Sequence, residues 1–142
     1  MQQLPGIPDI NTMSDYVSSF DSVLGLRYTQ VTPDGAQATL DITPKLLQPV
    51  GLVHGGVYCA VTESMASVAG FSWLAENGGG NVVGVNNNTD FLRSARSGTL
   101  NAVAEPLHRG RRQQLWLVTI ADDSGAVMSR GQVRLQNLPH QS

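Results

Sequence analysis

Gly55-Gly56-Val57-Tyr58-Cys59-Ala60-Val61-Thr62-Glu63-Ser64-Met65-Ala66-Ser67-Val68-Ala69-Gly70-Phe71 is the stretch that decides how the rest of the chain must be arranged. Glu63 is its only charged residue, and none other occurs between His54 and Glu76. An apolar run of about twenty residues is long enough to cross a bilayer. This one carries Thr62, Glu63, Gly70 and the serines 64, 67 and 72, and no basic residue follows it closely. The pattern therefore reads as a buried helix from Gly55 to Ala75 or Glu76. Such a helix has little polar surface and must be enclosed on most sides. A lone carboxylate within it is costly to bury unless it is paired, protonated or used. Glu63 is accordingly a candidate general base or nucleophile; the plainer reading is a carboxylate that reaches solvent or an arginine.

Outward from the helix, the neighbouring segments change character. On the N-terminal side, residues 1–13 read as a loose arm with isolated turn signals. Ser14 looks like an N-cap, and Tyr16, Val17, Phe20, Val23 and Leu24 follow at helical spacing. Gly25 suits the C-terminal cap, which predicts a short helix from about Asp15 to Leu24. Leu26–Thr32 and Ala36–Thr43 read as strands around Pro33-Asp34-Gly35, a hairpin turn. Lys45–Val53 is a loop broken by Pro44 and Pro49. Asn77-Gly78-Gly79-Gly80-Asn81 ends the long helix, and four strands follow over Val82–Leu92, Thr99–His108, Gln113–Ala121 and Ala126–Leu135. Strands that run consecutively rather than alternating with helices define an α+β class with an antiparallel sheet. The expected architecture is a curved sheet of five to six strands wrapped around one long helix. It forms a single domain over residues 14–138, with 139–142 as a tail.

Composition narrows the function. At 142 residues the chain is long enough for one domain with a real core. A net charge of −2 argues against general nucleic-acid binding. Charged residues make up only 14%, which leaves room for contacts between subunits, so an oligomer is expected. Cys59 is the single cysteine, which excludes an intrachain disulfide framework. The first residues, Met-Gln-Gln-Leu-Pro-Gly-Ile-Pro, lack a basic segment followed by an apolar one, so neither a signal peptide nor membrane attachment is expected, and the location read from this is cytoplasmic. Arg93, Arg96, Arg109, Arg111 and Arg112 are five of the nine basic residues, and only Glu105 opposes them in that span. This local excess suits a small polyanion.

His54-Gly55-Gly56 adds a second chemical feature. Glycines at a helix start let a ligand approach the backbone, and first-turn amides have no helical partner. A carbonyl oxygen becoming an oxyanion can accept those bonds. Glu63 lies eight residues after Gly55, or about 12 Å along a helix. One reacting carbon cannot touch both, because reacting groups lie about 3 Å apart. Either the two do not cooperate, or they meet across a subunit boundary, as two helices packed antiparallel about a two-fold axis would allow. Other chemistries fail. No Gly-x-Ser-x-Gly elbow accompanies the His-Gly-Gly sequence. Gly78-Gly79-Gly80 follows a helix, not a strand, and lacks dinucleotide-binding spacing. The histidines at 54, 108 and 140 have no metal-ligand spacing, so no metal is expected.

Taken together, Gln48-Pro49-x-Gly51-x-x-His54-Gly55-Gly56 followed by Glu63, Ser64 and Ser67 resembles the hotdog-fold acyl-CoA thioesterases. The likeness is closest to the branch of bacterial aryl-CoA thioesterases that includes the Arthrobacter-type 4-hydroxybenzoyl-CoA and menaquinone-pathway dihydroxynaphthoyl-CoA enzymes. Asn87-Asn88-Thr89-Asp90-Phe91-Leu92-Arg93 resembles that family's strand after the helix, and the likeness spans roughly residues 15–136. The resemblance implies that Glu63 is the catalytic carboxylate and that the Gly55 amide polarises the thioester carbonyl. It implies that Gln48 and His54 line the reacting centre from the chain that supplies Gly55, and that Ser67 orients water or the carboxylate. Gly56, Ser64, Val68 and Phe91 would contact the substrate. Arg93, Ser94, His108, Arg109, Gly110 and Arg112 fall where contacts to CoA are expected. The implied fold is the hotdog, the implied assembly a homodimer that pairs into a tetramer, and the implied cofactor none, since CoA is part of the substrate.

Hydrolysis of an acyl-CoA is thus the leading expectation. The rivals are a hotdog acyl-thioester hydratase or dehydratase, whose sites commonly use a His with an Asp or Glu early in the helix, and a non-catalytic acyl-CoA binding domain. The acyl group, aryl or medium to long chain, is left open by the sequence.

Overall fold

In the structure, a computed structural model that describes residues 20–140, the helix expected at Gly55 lies against one face of a six-stranded sheet. The elements are α1 (Phe20–Leu24), β1 (Arg27–Thr32), β2 (Gly35–Asp41), a 3-10 turn (Pro44–Leu46), α2 (Gly55–Ala75), β3 (Asn81–Phe91), β4 (Thr99–Arg109), β5 (Gln113–Asp122) and β6 (Val127–Leu138). Every strand pair is antiparallel, in the order β1-β2-β4-β5-β6-β3. This is the α+β arrangement expected from the order of the segments, and the hotdog fold that the resemblance implies. The expected arm, the Ser14 cap and the first helix before Phe20 lie outside the described residues. What is described of that helix ends as expected: Gly25 adopts φ 82°, and the amides of Gly25 and Leu26 both close onto the Asp21 carbonyl.

The inward rows follow the two-residue period of a strand. Ala36, Ala38 and Leu40 on β2, Leu100, Ala102 and Ala104 on β4, Trp116, Val118 and Ile120 on β5, and Val133 and Leu135 on β6 are all buried. They meet Val57, Tyr58, Val61, Met65, Ala66 and Ala69 of α2. Of the helix, only Gly56 is exposed. The core also encloses an amide network. Gln114, fully buried, donates to the Gly70 carbonyl at 3.2 Å and to Asn137 Oδ1 at 2.8 Å, and accepts from the Trp116 indole at 2.8 Å. Gly70 is required there, because a Cβ would collide with a Leu135 methyl and come within 3.0 Å of Gln114 Oε1.

Strand ends shift by one or two residues from expectation, and two differences are larger. The segment read as an unstructured loop begins with the 3-10 turn and closes on itself through a bridge between Leu47 and Val53. Pro44 starts the turn because its fixed φ suits a first helical position. The last strand runs to Leu138 rather than Leu135, since Asn81 to Val83 pair with Leu138 to Gln136.

β3 decides what faces the helix. Gly84 pairs with Leu135 and Asn86 with Arg134, so Val85 is an extra residue, a β-bulge. Before the bulge Val82 and Gly84 point inward; after it Asn87, Thr89 and Phe91 do, opposite the buried Val133, Gly131 and Ser129. The bulge switches the strand's phase by one residue, so even-numbered positions give way to odd ones on the helix side. β3 is also an edge strand, and Val83 and Val85 are 43% and 52% exposed along it.

Candidate active site

The inner face of β3 runs antiparallel to α2 and meets it residue by residue. Phe91 covers the helix start: a Cβ at Gly55 would lie 2.7 Å from its ring. The Phe91 ring also sits 6.0 Å from that of Tyr58. Further along, Asn87 Nδ2 donates to the Cys59 carbonyl at 3.0 Å and to Glu63 Oε1 at 3.2 Å. Asn87 Oδ1 accepts from the Thr89 hydroxyl at 2.6 Å. The other carboxylate oxygen, Glu63 Oε2, lies over Gly84 in space that a side chain there would fill. Glu63 is half-buried, so its charge is neither sunk in the core nor free on the surface.

His54 caps α2 in extended conformation, and its Nδ1 accepts from the Gly56 amide at 2.8 Å. That bond occupies the Gly56 amide, one of the two donors expected at the helix start. The Gly55 amide is different: it stands at the first helical position, and no acceptor for it lies among the described residues. The loop before the helix is fixed by Gln48, whose Oε1 accepts from the Val50 amide at 2.6 Å, and by Arg96, which donates to the Val50 carbonyl at 3.0 Å. The Val53 amide bonds to the Ala95 carbonyl at 2.9 Å, so the segment carrying Arg93 and Ser94 lies beside the helix start.

The remaining expected residues are distributed unevenly. Ser64, expected to contact substrate, donates to Asp21 Oδ1 at 2.5 Å and so ties α2 to α1. Val68 packs against the core, and Ser67 is half-buried one turn beyond Glu63. Arg109, expected at CoA, instead clamps the β1–β2 turn, with 2.9 Å contacts to both the Pro33 carbonyl and Asp34 Oδ1. Its guanidinium also lies 5.9 Å from the centre of the Trp73 ring, near the far end of α2. His108 and Gly110 lie together there, with the His108 ring against Gly110. Asn137 draws in the carbonyls of Gly110, Arg111 and Arg112, and the side chains of Arg111 and Arg112 are exposed. A groove of about 520 Å³ opens beside them, lined also by Leu74, Asn77 and His140.

The residues expected to hold CoA are therefore not one cluster. Arg93 and Ser94 sit at the start of α2, and His108 to Arg112 sit near its end, about 27 Å apart along the helix from Gly55 to Trp73. Sequence reasoning missed Gly84, Asn87 and Thr89 as parts of the site. The available signal was Asn86-Asn87-Asn88 within a strand, a polar run that β-structure disfavours unless a side chain has a partner.

The site thus sets one carboxylate, Glu63, and one first-turn amide without an acceptor among the described residues, Gly55, on an apolar helix enclosed by a hotdog sheet. The chain belongs to the Thioesterase superfamily, whose model matches residues 50–129. It is 64% identical over 132 residues to "Putative esterase Rv1847" of Mycobacterium tuberculosis, covering 92% of this chain and 94% of that one. It is 39% identical over 102 residues to 1,4-dihydroxy-2-naphthoyl-CoA hydrolase of Escherichia coli, covering 72% and 74%. Among solved structures, thioesterase HI1161 of Haemophilus influenzae superposes with a TM-score of 0.85 at 30% identity, covering 94% of this chain and 92% of that one. The protein is a thioester hydrolase. No described helix is long and apolar enough to cross a membrane.

Proposed function

We propose that the protein hydrolyses an acyl-CoA thioester to a free acid and CoA, with Glu63 and the Gly55 amide of a neighbouring copy acting on one carbonyl. The carrying observation is that the Gly55 amide has no acceptor among the described residues, while Glu63 stands eight residues further along the same helix. Those groups are about 12 Å apart in one chain, so a single carbonyl reaches both only between two antiparallel helices. The exposed edge of β3, with Val83 and Val85, supports a sheet continued across two copies.

The chemistry needs little else, and no cofactor enters the proposal. Either a Glu63 oxygen attacks the carbonyl carbon, the C–S bond breaks and water cleaves the resulting anhydride, or Glu63 takes a proton from water that attacks directly. The thiolate departs without a strong acid because thiol pKa values lie near about 8.5. Gly55 stabilises the oxyanion in both routes. Gln48 and His54 shape the carbonyl pocket from the Gly55 side, and Ser67 lies one turn past the carboxylate. An aryl acyl group is favoured, since a relative at 39% identity is named for a naphthoyl-CoA substrate and Phe91 offers an exposed ring at the helix start.

The test is thiol release from a panel of aryl-CoA and straight-chain acyl-CoA substrates by the unsubstituted protein, Glu63→Gln and Glu63→Ala. Loss of at least about a thousandfold in folded variants is expected for removal of a reacting group. Near-normal hydrolysis by either variant overturns the reading.

A further inference from the structure

The geometry points to Asn87 as a positioning residue that gives the two oxygens of Glu63 different roles, with Oε1 held and Oε2 left to react. This rests on the proposed reading of Glu63 as the reacting carboxylate. The orientation of the Asn87 amide follows from its neighbours. The Cys59 carbonyl and the Glu63 carboxylate both only accept hydrogen bonds, so the NH₂ end must face them, at 3.0 and 3.2 Å. Both amide protons are then in use, and Oδ1 is left to accept from Thr89 at 2.6 Å. Thr89 is itself packed against Gly131 on β6, close to the Thr62 methyl of α2. The series Thr89 to Asn87 to Glu63 therefore links a rigid sheet position to one carboxylate oxygen.

The second oxygen has no such anchor among the described residues. Oε2 lies over Gly84, where the absence of a side chain makes room for it. An amide donor on Oε1 draws charge there and restrains rotation of the carboxylate, so the lone pairs of Oε2 are presented in one direction. A reacting oxygen displaced by about 1 Å can cost a hundredfold in rate. The bulge at Val85 is what allows the arrangement, since Gly84 and Asn87 share a face only because one residue between them is extra.

Steady-state hydrolysis of the best substrate tests this with Asn87→Leu, Asn87→Asp and Thr89→Val, each first checked for folding by circular dichroism and thermal unfolding. The Leu variant has no donor, and the Asp variant places an acceptor against an acceptor. Both are expected to lower kcat by about 10- to 100-fold with KM changed less than about twofold, as for a misaligned reacting group. Thr89→Val frees the Asn87 amide to turn and is expected to lower kcat by about 3- to 10-fold. In a Glu63→Ala background, Asn87→Leu is expected to cause no further loss, because its effect passes through the carboxylate. Wild-type kcat in Asn87→Leu and Thr89→Val, with Glu63→Ala inactive, overturns the inference alone. An equal loss with and without Glu63 also overturns it, since that marks a general structural role. Should Asn87→Leu not fold, Thr89→Val decides: unchanged kcat refutes the positioning series and a selective kcat loss supports it. Activity retained in Glu63→Ala instead refutes the functional reading beneath it.

Discussion

Glu63 Oε2 occupies the volume that a side chain on Gly84 would need, so the carboxylate of α2 and the backbone of β3 are in direct apposition. The obstacle is the tip of a flexible side chain, which can swing aside, and Gly84 is not among the glycines with positive φ. Gly84→Ala is therefore expected to fold with a near-normal melting temperature while displacing Glu63. Its kcat should fall by about 10- to 100-fold, the loss that follows from a reacting group moved by an ångström. A variant that unfolds, or one with full turnover, contradicts this apposition.

His54 combines a cap with a place beside the expected reaction centre, and substitution can separate the two. His54→Ala removes the bond from the Gly56 amide and should destabilise by about 1 kcal/mol, as loss of an N-cap does. His54→Asn keeps a good cap and should restore stability. Urea unfolding measures the first effect and thiol release the second. If Asn also restores turnover, His54 acts only by shaping the helix start.

The arginines of the β4–β5 turn should divide by function. Arg109 is bound to Pro33 and Asp34, so Arg109→Ala is expected to lower stability by up to about 1 kcal/mol, the usual range for a solvent-facing pair, with little change in KM. Arg112 is exposed, and Arg112→Ala should raise KM for a CoA substrate several-fold while leaving the unfolding midpoint unchanged. Salt should weaken the Arg112 contribution more than that of Arg109.

Two tyrosines set an alkaline limit on the fold. Burial pushes the Tyr28 hydroxyl well above its ordinary range, with the charge of Asp21 and their hydrogen bond adding to the shift. Burial also pushes Tyr58 up. Unfolded tyrosines ionise near about pH 10. The native state then keeps protons that the unfolded chain releases, so stability from these groups is complete below about pH 10 and is lost as pH rises through the higher folded values. Urea midpoints should fall as pH rises above about 10, and Tyr28→Phe with Tyr58→Phe should flatten that decline. An unchanged slope in the double variant contradicts the assignment.

The element order was legible because each segment carries its own local signal. The apolar period and the flanking His54 and Asn77-Gly78 marked α2 to the residue at its start, and the Pro33-Asp34-Gly35 turn marked the first hairpin. Glu63 was legible as an anomaly in that helix. The division of the expected CoA residues between the two ends of α2 was not, because it depends on how loops dock: residues 93–96 onto the segment before the helix, and Arg109 onto the β1–β2 turn. The bond from Ser64 to Asp21 was not legible for a similar reason, since the two are 43 residues apart. Asn87 stood in the recognised strand but was given no role, and strand alternation counted from Val82 places it on the outer face. A bulge leaves no reliable mark in a run of valine, glycine and asparagine.

The extra residue at Val85 makes the site sensitive to how β3 is paired as well as to its composition. Many side chains on that strand could change with only local effect. Were Val85 paired into the ladder instead of bulged out of it, Asn87, Thr89 and Phe91 would turn to the opposite surface together. The helix would keep its glutamate, and the sheet would keep its hydrogen-bonded ladder. What would be lost is the phase relation between them, a property that belongs to no single amino acid.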